Sequence, residues 1–169
     1  MVELSHLNAT GEVHMVEVGD RPSTRRQARA EGCIQMSAEV LTMVVEDRAP
    51  KGDVLAVARV AAIQAAKRTA DLLPLCHSVA IGAIIVNFDI RDDHIEVEAS
   101  VDTIDRTGVE MEALTACSVA ALTIYDMCKS ADRSMVIGEV ALWEKTGGRS
   151  GPYRRASDAA SSGDGSGSM

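Results

Sequence analysis

The chain has 169 residues, 46% hydrophobic and 25% charged, which is ordinary usage for one globular domain and argues against wholesale disorder. Its 17 basic and 25 acidic residues leave a net charge of −8, a poor balance for general nucleic-acid binding. Only Phe88, Tyr125, Trp143 and Tyr153 are aromatic, so the stacking platforms that hold single strands are nearly missing. An anionic substrate would need a few focal Lys and Arg to build a positive pocket against a repulsive background. Met1 to His14 carries no apolar segment of the secretory type. The four cysteines, Cys33, Cys76, Cys117 and Cys128, form no Cys-x-x-Cys pair. They read as small buried thiols in a reducing cytoplasm.

Residues 1–31 are polar and mixed. The alternation from Val13 to Val18 predicts an edge strand, broken by Gly19, Asp20 and Pro22. Thr24 to Arg29 reads as a basic patch with little core. Cys33 to Met36 reads as a short strand. Ser37 then caps a helix through Val45, with Glu39 in its first turn. Pro50-Lys51-Gly52 is a loop, and Asp53 caps a second helix. Val54, Val57, Ala58, Ala61, Ala62 and Ala65 line one small-residue face, and Pro74 ends the segment. The uncharged stretch Leu72 to Phe88 reads as a loop feeding a buried strand rather than a membrane span. Ile81–Ile90 and Ile95–Val101 predict a β-hairpin across Arg91-Asp92-Asp93-His94. Ile95, Val97, Ala99 and Val101 alternate with polar residues, so one sheet face meets water.

Thr107-Gly108-Val109-Glu110 reads as a capping box at the head of a helix reaching about Lys129. Met135 to Trp143 is a last strand, and Gly147-Gly148 form a glycine loop behind it. Residues 1–153 are expected to form a single domain, and 154–169 a disordered Ser/Gly-rich tail. The order β-α-α-β-β-α-β predicts an α+β fold. Its form is a ferredoxin-like antiparallel sheet with helices packed on one face.

The 107–129 helix carries the most chemistry. One face is Val109, Ala113, Ala116, Ala120, Ile124 and Met127; the opposite face has Met111, Thr115, Val119 and Leu122. A helix apolar all round is covered on both sides, and a second subunit is the simplest second cover. Glu112 and Asp126 point in similar directions but lie about 21 Å apart along the axis. One small substrate touching both would need them from different subunits. Against this stands a plainer reading: Glu110 as a cap partner, Glu112 and Asp126 as charges at wet helix ends. Asp126 and Lys129, three apart, face each other as a surface ion pair or as an acid/base group beside a cation. Lys51 precedes a helix start, a weak anion site because Asp53 opposes it. Lys145 and Arg149 bracket the glycine loop, which is no Walker A sequence but could wrap phosphates through backbone N–H groups. His77, in the loop made by Pro74, could serve as acid or base near neutral pH. Cys76-His77 lacks the spaced partners that a metal site needs.

Six blocks carry a resemblance. They are Lys51-Gly52-Asp53, the run from Ala65 to Thr69, Leu73-Pro74-Leu75-Cys76-His77, the run from Thr107 to Ala116, Tyr125-Asp126-Met127-Cys128-Lys129, and the run from Lys145 to Gly151. In this order they resemble the MoaC family, molybdenum cofactor biosynthesis protein C, from about Leu4 to Tyr153. The resemblance implies a ferredoxin-like fold assembled as a hexamer, a trimer of dimers, with active sites between subunits. It implies a cytoplasmic lyase that converts a cyclised dihydroguanosine triphosphate to cyclic pyranopterin monophosphate and pyrophosphate. The substrate would come from an upstream radical SAM enzyme, with no nucleic acid or membrane involved. It implies catalytic roles for Asp126, Lys129 and Lys51. Substrate contacts would fall on Leu75, Cys76, His77, Met111 and Glu112, with Lys145 among the active-site lysines; to these we add Arg149 beside Lys145 as a loop clamp, Glu110 or Glu112 with His77 at the guanine-derived end, and Arg25 or Arg26, of which Arg26 is preferred, at the triphosphate. It calls for no resident cofactor, and leaves open whether Mg²⁺ arrives with the triphosphate. Arg149 stands where the family usually has a second loop lysine, keeping charge but offering a fork instead of a point. The competing readings are a catalytically silent nucleotide-binding module and an interaction scaffold. A binder needs the cations but not the acid/base set.

Overall fold

Ile95, Val97, Ala99 and Val101 are almost fully buried, while the residues between them face outward. That period of two is what a strand with one covered face requires. The computed structural model describes residues 10–156. In chain order these are β1 (Thr24–Gln35), α1 (Ala38–Val45), α2 (Val54–Ala66), α3 (Thr69–Leu72) and β2 (Ile81–Ile90). Then come β3 (His94–Asp105), α4 (Glu110–Cys128), β4 (Val136–Thr146) and β5 (Tyr153–Arg154). All the strands join one antiparallel sheet in the order β2-β3-β1-β4-β5. α4 packs on β1, β3 and β4, and α2 packs on α4 and β2. The result is an α+β fold of the ferredoxin-like kind.

The caps explain where two helices begin. Ser37 accepts from the Val40 amide at 3.4 Å, and Asp53 accepts from the Ala56 amide at 2.9 Å. α2 turns Val54, Ala58, Ala62, Ala65 and Ala66 inward, whereas Val57 is exposed. α4 answers with Ala113, Ala116, Ala120 and Ala121, all fully buried. Small side chains on both helices allow close approach, and Ile124 and Met127 fill the space below them. By length and composition α4 could cross a membrane. Here it is the core helix, sandwiched between α2 and the sheet.

Several expectations are corrected. Val13 to Val18 is no continuous strand: only Val13 makes an isolated β-bridge, and Val13 and Met15 are exposed. The first strand starts at Thr24 rather than Cys33 and lies inside the sheet. Arg25 and Arg29 stand on its open face: Arg25 meets Asp102 at 3.1 Å, and Arg29 meets Glu31 of its own strand and Glu98 and Glu144 of the neighbouring strands, whereas Arg26 shares the side of Ala28 and Ala30. Ala28, Ala30 and Ile34 supply the core between them. β2 is an edge strand, with only Val86 buried, so its apolar run did not mean burial. The capping box does not form. Val109 occupies the cap position without a side-chain bond, and Glu110 is the first helical residue. The last short strand takes in Arg154, and the Arg155 amide bonds the Trp143 carbonyl at 2.8 Å. Residues 157–169 lie outside the described residues.

Candidate active site

The chain crosses 75 residues to bring Lys51 to the end of α4. Its ammonium lies 2.8 Å from Asp126 Oδ2 and donates to the Asp126 carbonyl at 3.0 Å. Lys129, one turn along α4, reaches Asp126 Oδ1 at 2.7 Å. Lys51 therefore serves Asp126 and not the start of α2, where Asp53 already caps. Lys129 and then Lys51, through hydrogen bonds and charge, hold the Asp126 carboxyl at a pKa of about 2. A pocket of about 370 Å³ opens here, lined by Lys51, Tyr125, Asp126, Lys129, Ser130 and Arg133.

The other end of α4 holds a second group of side chains. Leu75, Cys76 and His77 face Glu110, Met111 and Glu112 across a hollow of about 310 Å³, closed by Val16, Val18, Arg21 and Arg149. An adjoining hollow of about 250 Å³ runs from Thr107 and Gly108 to Lys145 and the loop from Gly147 to Ser150, over Arg26. Glu112 is not a wet helix end: it is 4% exposed. Burial, and then the nearby Glu110 charge, push its carboxyl above the usual range. Burial and the Glu112 charge likewise raise the Cys76 thiol. Lys145 is clasped between Glu110, 3.8 Å away, and the Ser150 hydroxyl.

Arg26 supports the glycine loop. Its Nε and Nη2 donate to the carbonyls of Asp105 and Arg106 at 2.9 and 3.1 Å. Gly147 and Gly148 both have φ near +80°, and a Cβ on Gly147 would overlap the Arg25 carbonyl oxygen. A Cβ on Gly148 would sit 2.6 Å from Arg26 Nη1. Only glycine allows the loop to lie this close to β1.

Two groupings thus emerge at opposite ends of one helix. Asp126, Lys129 and Lys51 form one; Leu75, Cys76, His77, Glu110, Met111, Glu112, Lys145, Arg149 and Arg26 form the other. One chain does not join them, since Glu112 and Asp126 are about 21 Å apart along α4. Sequence reasoning missed Arg21, which lines both upper hollows, and Arg133 in the lower pocket. Arg21 follows a turn closed by its own amide on the Val18 carbonyl, and a cation just past that turn signal was the available hint. Among the described residues no three His, Cys, Asp or Glu side chains converge to hold a metal.

A ferredoxin-like α+β scaffold here carries an ammonium-flanked carboxylate and a cationic glycine-loop hollow, the acid/base and cationic groups that enzyme sites use. Comparison with known proteins narrows this class. The sequence model of the MoaC family matches residues 15–148, and the chain belongs to that family. It is 49% identical over 156 residues to the cyclic pyranopterin monophosphate synthase of Peptoclostridium acidaminophilum, covering 92% of this chain and 99% of that one. It is 54% identical over 164 residues to the cyclic pyranopterin monophosphate synthase of Thermomicrobium roseum, covering 95% and 98%.

Proposed function

We propose that the chain is a cyclic pyranopterin monophosphate synthase of molybdenum cofactor biosynthesis. In this reading it converts a cyclised dihydroguanosine triphosphate to cyclic pyranopterin monophosphate and releases pyrophosphate. The observation that carries the reading is Asp126 held between Lys51 and Lys129, in a chain matched by the family over residues 15–148. The reaction opens a five-membered purine ring and closes a pterin ring, which takes several proton transfers. It also forms a cyclic phosphate while pyrophosphate leaves, so charge grows where lysines can meet it.

The free protein keeps Asp126 ionised and, at a pKa of about 2, a weak base. Substrate phosphates that draw Lys51 and Lys129 onto themselves strip the carboxylate of its cations. Its pKa then climbs back toward the ordinary range. Basicity thus appears only when substrate is bound, and the two ammoniums become phosphate clamps or proton donors. His77 and Glu110 or Glu112 hold the guanine-derived end. Lys145 and Arg149 clamp from the glycine loop, with Arg26 beneath it.

The two groupings act as one site between copies of the chain, in the hexamer that the resemblance implies. Met111 and Leu122 on the outer face of α4 are 40% and 57% exposed, an apolar stripe suited to that contact. The protein works in the cytoplasm on the product of a radical SAM enzyme, and any Mg²⁺ arrives with the triphosphate. Purified protein incubated with the cyclised nucleotide should release pyrophosphate and yield a fluorescent pterin. Asp126→Ala should fold and assemble but make no pterin. Normal turnover by that variant would refute the mechanism, and a wild-type chain that binds the nucleotide without converting it is the silent binding module.

A further inference from the structure

The segment after α4 holds one exposed cation on an unusually well-tied backbone. The Ala131 and Asp132 amides bond the Cys128 carbonyl at 2.9 and 3.2 Å. The Asp132 carboxylate accepts from the Ser134 amide and hydroxyl at 2.7 and 2.6 Å, and from the Ser37 amide at 3.1 Å. The Tyr125 hydroxyl donates to the Arg133 carbonyl at 3.1 Å. Arg133 is therefore fixed on both sides and at its own carbonyl. Its guanidinium makes no ion pair among the described residues.

Arg133 lines the same pocket as Lys51, Asp126 and Lys129. Three cations there face one carboxylate, on a chain of net charge −8. Such a pocket focuses positive potential where the rest of the surface repels anions. Lys51 and Lys129 must each give up a bond to Asp126 before meeting an anion fully. Arg133 breaks no ion pair to do so. Its planar fork also suits two oxygens of one phosphate, which an ammonium does not.

We propose that Arg133 is the first anchor for the polyphosphate arm of the substrate and keeps hold of the pyrophosphate as it leaves. The assignment rests on the synthase reading above and adds a binding residue to it. Arg133 holds the anion while Lys51 and Lys129 shift from Asp126 to the phosphates. Its part is in binding, not in proton transfer.

The test uses inorganic pyrophosphate as the probe, titrated calorimetrically into the full-length wild type, Arg133→Ala, Arg133→Lys and Arg154→Ala. Arg154 lies in β5, outside this pocket. Arg133→Ala should weaken pyrophosphate binding about tenfold, Arg133→Lys should recover part of the loss, and Arg154→Ala should bind as wild type. With the cyclised nucleotide, Arg133→Ala should raise KM about tenfold with kcat within about threefold. Pyrophosphate affinity and KM unchanged by Arg133→Ala, including no pyrophosphate binding by either form, would overturn the anchor. If the wild type still made pterin, the synthase reading would survive that result. A pyrophosphate affinity that depends on Arg133 in a chain that makes no pterin would leave the anchor standing and remove the synthase reading.

Discussion

At the residue scale, Asp126 illustrates how charge neighbours set chemistry. Two ammoniums within 2.8 Å stabilise its ionised form, so the folded pKa lies below that of the unfolded chain. Stability gained this way is present above the ordinary carboxylate value and is lost as pH falls through about 2. All three side chains are about half exposed, so solvent screens the gain, and the arrangement matters more for chemistry than for folding. A carboxyl-detected NMR titration should place the Asp126 midpoint near 2 in the free protein. Lys129→Ala should move that midpoint up toward the ordinary range, and Lys51→Ala should move it up by less. Glu112 shows the opposite sign: burial favours its neutral form, so the pair of carboxyls on α4 have their affinities for protons driven apart.

At the element scale, the glycine loop shows how a turn fixes a site. Gly147 adopts φ +82° and passes against the β1 backbone at Arg25; Gly151 adopts φ +68° with nothing within 4 Å of a Cβ. Both demand the left-handed region, but only Gly147 also demands space. Gly147→Ala should cost about 3 kcal/mol and displace Lys145 and Arg149, while Gly151→Ala should cost about 1 kcal/mol. Urea unfolding and KM for the cyclised nucleotide check both. Equal effects of the two substitutions would show that backbone overlap with β1 is not what holds the loop. α4 shows why local motifs mislead. Thr107 and Glu110 have capping-box spacing, yet Glu110 starts the helix and leans toward Lys145.

At the scale of the whole molecule, the helix that organises the core also separates the two groupings that the proposed function joins into one site. Asp126 and Glu112 cannot meet on one chain, so in the proposed assembly a shared substrate would take one from each copy. The proposed assembly makes a direct prediction. Asp126→Ala and Glu112→Ala, each inactive alone, should regain activity when unfolded and refolded together, because some mixed interfaces carry both intact halves. Sedimentation should show an assembly larger than the monomer at micromolar concentration. Leu122→Asp, which charges the exposed stripe of α4, should reduce both assembly and turnover. No recovery in the mixture, with assembly intact, would place both halves' work within one chain's own sites.

The sequence by itself determined the elements whose pattern is local. The hairpin of Ile81–Ile90 and Ile95–Val101, the Ser37 and Asp53 caps and the long helix could be read because alternation, cap chemistry and helical spacing depend on near neighbours. The six motif blocks likewise marked the family and the residues at both helix ends. Only the tertiary structure decided that Thr24 to Arg29 is a strand inside the sheet. Arg25 and Arg29 are answered by acids on β3 and β4 that no local pattern reveals. Only it placed Lys51 on Asp126 and buried Glu112 across the hollow from the 75–77 loop. The physical reason is common to these cases. Periodicity reports which face of a segment is apolar, whereas charge pairing and pKa depend on which groups distant in the chain are folded to within a few ångströms.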